Sequence, residues 1–128
     1  MILKSTPVLT AELIEPVIQF FKDIGFEVTM TVPEGEQLGF AILKRGDVEV
    51  MAQNYASIEN DIPKIAQAIR SSPSALFIEV SDIDEIAKKI AKYEMVHPKR
   101  ETFYGATEIT VKSPGGHFIT FAEFKAED

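Results

Sequence analysis

The chain has 128 residues, no cysteine, and 13 Lys and Arg against 20 Asp and Glu, a formal charge of −7. Disulfides, thiolate nucleophiles and thiolate zinc sites are therefore excluded, and the acidic balance would repel a phosphate backbone, which argues against nucleic acid as a partner. A hydrophobic content of 45% with 26% charged residues is ordinary for a globular domain; no apolar stretch suits a membrane span, and Met1-Ile2-Leu3-Lys4 lacks a signal-peptide layout, so a cytoplasmic location and no membrane partner are expected.

An apolar strand over residues 3–9 is expected to lead into an amphipathic helix over 13–24. Leu13, Val17, Phe20, Phe21 and Ile24 recur there at helical spacing. Thr10 is the candidate cap, Pro16 suits the first turn, and Gly25 supplies the left-handed stop. Residues 26–32 alternate Phe26, Val28, Met30 and Val32 with Glu27, Thr29 and Thr31, the pattern of a half-buried strand. Pro33-Glu34-Gly35-Glu36 turns the chain into a hairpin of residues 38–44 and 48–53, closed by Gly46-Asp47.

Residues 54–73 form a connector. Ile58, Ile62, Ile65 and Ile69 make a helical apolar row in it, and a short helix is expected from about Pro63. From Ser74 the first order of elements recurs. A strand over 75–80 precedes a helix over 82–92, opened by Ser81 and Asp84 as a capping box, with Ile83, Ile86, Ala87 and Ile90 inward. A strand from Met95 is interrupted at His97-Pro98, and a hairpin of 106–112 and 117–124 turns at Ser113-Pro114-Gly115-Gly116. A long period present only twice points to a duplicated half-domain. The expected organisation is one domain made of module 1 (1–53), the connector (54–73) and module 2 (74–128).

Period-two alternation separates two faces. Val48, Val50, Leu76, Ile78, Val80, Thr107, Ile109, Val111, Ile119 and Phe121 fall on the face that helices would cover. Glu49, Met51, Gln53, Ala75, Phe77, Glu79, Glu108, Thr110, Phe118, Thr120 and Ala122 fall on the other. Aromatic, Met and acidic residues mixed on one face are what small-ligand sites carry. His117 falls opposite that face and reads as structural or exposed.

The run Thr102-Phe103-Tyr104-Gly105-Ala106-Thr107-Glu108, continuing to Ser113-Pro114-Gly115-Gly116-His117-Phe118-Ile119-Thr120-Phe121-Ala122-Glu123, resembles the closing hairpin of the vicinal oxygen chelate superfamily. That superfamily includes glyoxalase I, bleomycin-resistance proteins, fosfomycin-resistance enzymes and extradiol dioxygenases. Pro7-Val8-Leu9 with Phe20-Phe21-Lys22-Asp23-Ile24-Gly25-Phe26-Glu27-Val28 resembles its opening strand and helix. The family turn usually begins Asp-Pro, where this chain has Ser113-Pro114, and Phe-Tyr is commoner than Phe20-Phe21.

The resemblance implies an α+β fold of two βαβββ modules in an incomplete barrel around a cup. It also implies a homodimer, with the modules closing within one chain or between two. Its metal ligands would fall near Thr6, Glu49, Ala75 and Thr120, of which only Glu49 is a competent donor. One carboxylate does not hold zinc, nickel or iron, so no metal or other cofactor is expected. The sequence-level expectation is a non-enzymatic, bleomycin-resistance-like protein sequestering a small organic molecule, cationic or aromatic. Phe77, Met51, Phe118 and Tyr104 would give apolar and stacking contacts, Glu49 and Glu108 would orient a positive group, and Thr6, Thr110 and Thr120 would donate hydrogen bonds. The rivals are a metal-dependent lyase, isomerase or dioxygenase with misplaced ligands, and a structural or regulatory dimer with a filled cup. Glu49 and Glu108 would form an acid–base pair if desolvation raised one pKa.

Overall fold

Two four-stranded sheets with matching strand order carry the chain, as the computed structural model of residues 1–70 and 72–125 describes them. The first is built from β1 (Val8–Ala11), β2 (Glu27–Glu34), β3 (Gln37–Arg45) and β4 (Val48–Asn54), in the order β1-β4-β3-β2. The second is built from β5 (Ala75–Glu79), β6 (Glu94–Glu101), β7 (Ala106–Lys112) and β8 (Phe118–Phe124), in the order β5-β8-β7-β6. In each, the opening strand runs parallel to the last and the other pairings are antiparallel. Helix α1 (Glu15–Asp23) follows β1, and α4 (Ile83–Lys89) follows β5. Both halves are thus βαβββ units. Between them lie α2 (Tyr55–Asp61) and α3 (Pro63–Arg70). Ser71 of the connector and residues 126–128 of the second module lie outside the described residues.

Helix α1 follows the expected periodicity from Val17 onward, but Leu13 lies before it and is exposed, and Ile14 is buried at its entry instead. Val17, Ile18, Phe20 and Phe21 are buried, Pro16 sits in the first turn, and Gly25 turns the chain at φ 105°. The Glu15 carboxylate accepts from the Leu38 N–H at 3.0 Å, which ties the helix entry to β3. The inner faces of both sheets share one core: Leu9, Leu43 and Val50 from the first join Ile109, Val111, Ile119 and Phe121 from the second. Phe20 stands between the halves, with ring centroids 4.8 Å from Tyr93 and 6.5 Å from Phe121.

Polar contacts close the same seam. His117 is only 2% exposed, so it is structural and not exposed. Its Nδ1 accepts from the Ser74 N–H at 2.9 Å, and its Nε2 lies 2.7 Å from the Thr10 carbonyl. A backbone N–H can only donate, so Nδ1 carries the lone pair and Nε2 the proton. The neighbouring turn lies so close that a Cβ on Gly115 would sit 3.1 Å from that of Ala11. The Tyr93 hydroxyl donates to Asp23, whose carboxylate also lies 3.0 Å from the Lys92 ammonium. These donors, Tyr93 foremost, lower the Asp23 pKa to about 2.

Several boundaries differ from the sequence expectation. The first strand is Val8–Ala11, where pairing with β4 fixes it, so Thr10 belongs to the strand and Ile14 takes the helix entry without a side-chain cap. Strand β2 extends through Pro33 and is not half-buried: it is exposed along nearly its whole length, because no layer covers this edge. The connector holds two helices, not one. Asn54 caps α2 by accepting from the Ser57 N–H at 2.8 Å, and the break at Ile62-Pro63 disperses the isoleucine row, burying Ile58 and exposing Ile62 and Ile65. Helix α4 is capped by Asp82, which accepts from the Glu85 N–H at 3.1 Å, not by Ser81 with Asp84. Strand β6 runs through His97-Pro98 and absorbs the proline as register shifts.

Candidate functional site

The expected site residues divide into two half-sites, one on the outer face of each sheet. On the first sheet, Glu49 and Met51 project from β4, and Thr6 lies just before β1. The Glu49 side chain is 7% exposed and held on three sides. Lys4 Nζ lies 3.0 Å from Oε1, Lys44 Nζ 3.3 Å from Oε2, and the Thr6 hydroxyl donates to Oε1 at 3.1 Å. Lys4 and the other donors hold the Glu49 pKa below the usual carboxylate range. Beside this cluster Val8, Met30 and Val32 are exposed.

On the second sheet, Phe77 projects from β5, Phe118 and Thr120 from β8, and Glu108 and Thr110 from β7, with Tyr104 in the loop before it. Register sets Phe77 beside Thr120 and Thr120 beside Thr110, whose hydroxyls lie 2.8 Å apart. Glu108 is 2% exposed. It accepts from the Tyr104 hydroxyl and from Arg100 Nη2, the latter at 3.3 Å. The bond to Glu108 is the main cause of a raised Tyr104 pKa. Phe124 lies between Phe77 and Tyr104, with centroids 6.3 and 6.1 Å away. Phe77 remains 53% exposed, and Phe118, Phe124 and Tyr104 are exposed as well.

Among the described residues, no hydrogen bond, ion pair or ring contact joins one half-site to the other. Within one chain the geometry does not assemble the acid–base pair. The carboxylates belong to different sheets, and the Glu49 pKa is lowered where that chemistry required a rise. Lys4, Lys44, Arg100 and Phe124 were not foreseen. Lys44 had a usable signal, because the two-residue turn at Gly46-Asp47 sets it directly opposite Glu49. Arg100 had none, since the register shifts in β6 decide that it faces Glu108.

Paired βαβββ sheets of this order recur among solved structures. A glyoxalase/bleomycin resistance protein/dioxygenase from Nocardioides superposes with a TM-score of 0.75 over 100% of this chain and 89% of that one, at 18% identity. The fold is that of the glyoxalase/bleomycin-resistance proteins. Lactoylglutathione lyase from Agrobacterium tumefaciens shares this fold with a TM-score of 0.74 at 14% identity, covering 94% of this chain and 92% of its own. A bleomycin-binding protein complexed with bleomycin shares it with a TM-score of 0.66 at 15% identity, covering 97% and 100%. No family model matches the sequence, and no curated protein shows significant sequence similarity to it. The α+β architecture that the sequence motifs implied is therefore the observed one.

The glyoxalase/bleomycin-resistance fold often carries a metal, and the donors here do not fit one. Of Thr6, Glu49, Ala75 and Thr120, only Glu49 offers a carboxylate, and two ammonium groups already neutralise it. Among the described residues no group of three or more His, Asp or Glu converges. No helix among them is long and apolar enough to cross a membrane.

Proposed function

We propose that this protein binds a small organic molecule, without a resident transition metal, in cups completed by a second copy of the chain. The carrying observation is the open outer face of each sheet. The shared core lies on the inner faces, and the edge strands β2 and β6 are exposed along nearly their full lengths. A partner's second sheet laid over the first would bring Glu49, Met51 and Thr6 toward Phe77, Phe118, Tyr104, Thr110 and Thr120. It would also bury apolar side chains that water otherwise meets. We assign the chain to the bleomycin-resistance side of its superfamily and read its role as sequestration, which the bleomycin-binding neighbour supports.

Both carboxylates have cationic partners, so a positive ligand group would have to displace Lys4, Lys44 or Arg100. Phe77 and Phe118 carry no such prior engagement with a charge. Aromatic stacking on them, with Thr110 and Thr120 orienting polar groups, is the stronger basis of recognition. Tyr104 and Glu108 would wall the cup and fix its shape.

Sedimentation velocity, elemental analysis and a thermal-shift screen test the reading together. The expected results are a dimer, no stoichiometric transition metal, and a stabilising aromatic ligand. At a hundredfold excess over its Kd such a ligand adds about 2.7 kcal/mol to the native state. Phe77→Ala should weaken that ligand with the fold intact, and Glu49→Gln should weaken it less. A monomer at all concentrations, a stoichiometric metal, or no response to bleomycin and to a panel of aromatic compounds would each overturn its part.

A further inference from the structure

The loop between β6 and β7, residues 102–105, presents one ring wholly to water. Phe103 is 100% exposed, and the rings behind it form a continuous row. Its centroid lies 5.1 Å from that of Tyr104, which lies 6.1 Å from Phe124, itself 6.3 Å from Phe77. Phe103 therefore prolongs the aromatic group of the second half-site, and the exposed apolar surface is a patch and not a stray side chain. The loop that carries it is well tied. The Thr102 N–H donates to the Ala106 carbonyl at 2.8 Å, the Thr102 hydroxyl accepts from the Ala106 N–H at 3.1 Å, and the Lys125 N–H donates to the Gly105 carbonyl at 3.0 Å. Gly105 closes the turn at φ 83°. A ring held out on a hydrogen-bonded loop has little backbone freedom left to lose, which suits a docking anchor.

The first sheet offers a place for such a ring. An open hollow of about 440 Å³ lies where β2, β3 and β4 meet α2. Val32 and Phe40, partners in register, line it, and Gln53 stands beside Phe40. Gln53 shares its face of β4 with Met51 and Glu49, so the hollow adjoins the first half-site. Glu34 and Asp61 line it as well. The flank of the Phe103 loop, made by Arg100, Glu101 and Lys125, is net positive. Ring and hollow are thus matched in polarity, and their surroundings are opposite in charge.

We propose that Phe103 is the anchor between two copies of this chain, its ring entering the hollow at Val32 and Phe40 of the second copy. The proposal rests on the reading that a second copy completes the cups, and it names the side chain that holds the copies together. A two-fold dimer carries two such anchors, one from each chain. Each takes a fully hydrated ring out of water and covers apolar surface beside the first half-site.

The chain has no tryptophan, so Phe103→Trp places a sole tryptophan reporter at the anchor. Its emission should shift to the blue, and its quenching by acrylamide should fall, as rising concentration converts monomer to dimer. In sedimentation equilibrium Phe103→Ser should raise the dimer dissociation constant about tenfold or more. Melting of the dilute monomer should not change, because the ring is fully exposed there. Val32→Lys should weaken the dimer by a similar factor, and the two changes together should cost little more than either alone. A dimer in which residue 103 stays open to acrylamide, or in which the two changes simply add, overturns the anchor and leaves the completed cups standing. A monomer at every concentration overturns both. A blue shift with phosphatidylcholine vesicles but not with concentration overturns the anchor in favour of a lipid surface.

Discussion

The two halves share strand order and crossover helix, yet their outer faces are chemically different. The first centres on Glu49, gripped by Lys4 and Lys44 and bordered by Val8, Met30 and Val32. The second centres on Glu108, sealed by Tyr104 and Arg100 under a group of exposed aromatic rings. The inner faces differ less, because both must fill one core. Backbone topology therefore sets where a side chain projects, and the partner it meets sets what it can do. A carboxylate with two ammonium neighbours stays ionised and engaged.

Four measurements would break or sharpen the comparison. The largest effect should come from the element common to both halves. Phe20→Ala removes a ring buried between α1, Tyr93 and Phe121 and should cost about 3–5 kcal/mol in denaturant unfolding. A loss below about 1 kcal/mol would show that the seam is not built as described. Next, His117→Ala leaves the Ser74 N–H and the Thr10 carbonyl without their partner, each worth about 1–3 kcal/mol when buried and unpaired. His117→Phe should not rescue it, since a ring without nitrogen fills the space but satisfies neither group.

The third effect appears only in acid. The Asp23 pKa is about 2 in the folded chain against an ordinary value of 3.8, so the unfolded chain binds the extra proton between those values. That contribution is fully present above about pH 4 and is lost as pH falls toward 2. Tyr93→Phe removes the largest cause and should flatten the acid limb of the stability profile, whereas an unchanged limb would mean that Lys92 and Gln19 suffice to hold Asp23. The smallest effect separates the half-sites: Lys44→Ala should raise the Glu49 pKa in a carbon-detected NMR titration with little change in melting temperature. If Glu49 does not move, Lys4 and Thr6 suffice, and the first half-site is less crowded with cations than its geometry indicates.

The sequence alone determined the repeat, the hairpins and the inner face, because these rest on local periodicity and turn chemistry. Gly46-Asp47 closes a hairpin wherever it stands between strands, and Val17, Phe20 and Phe21 must share one side of a helix. The outer-face parity of Glu49, Phe77 and Thr120 was legible for the same reason. Only the tertiary structure decided what lies beside them. Thr10 looked like a cap until its strand paired with β4, and the isoleucine row of the connector scattered because the break at Ile62-Pro63 reset the helix axis. The pairing of Arg100 with Glu108 and the placement of His117 between Thr10 and Ser74 each join residues through register shifts or through the packing of one half on the other. Such contacts depend on where whole elements come to rest against a common core, and no local pattern along the chain encodes that distance.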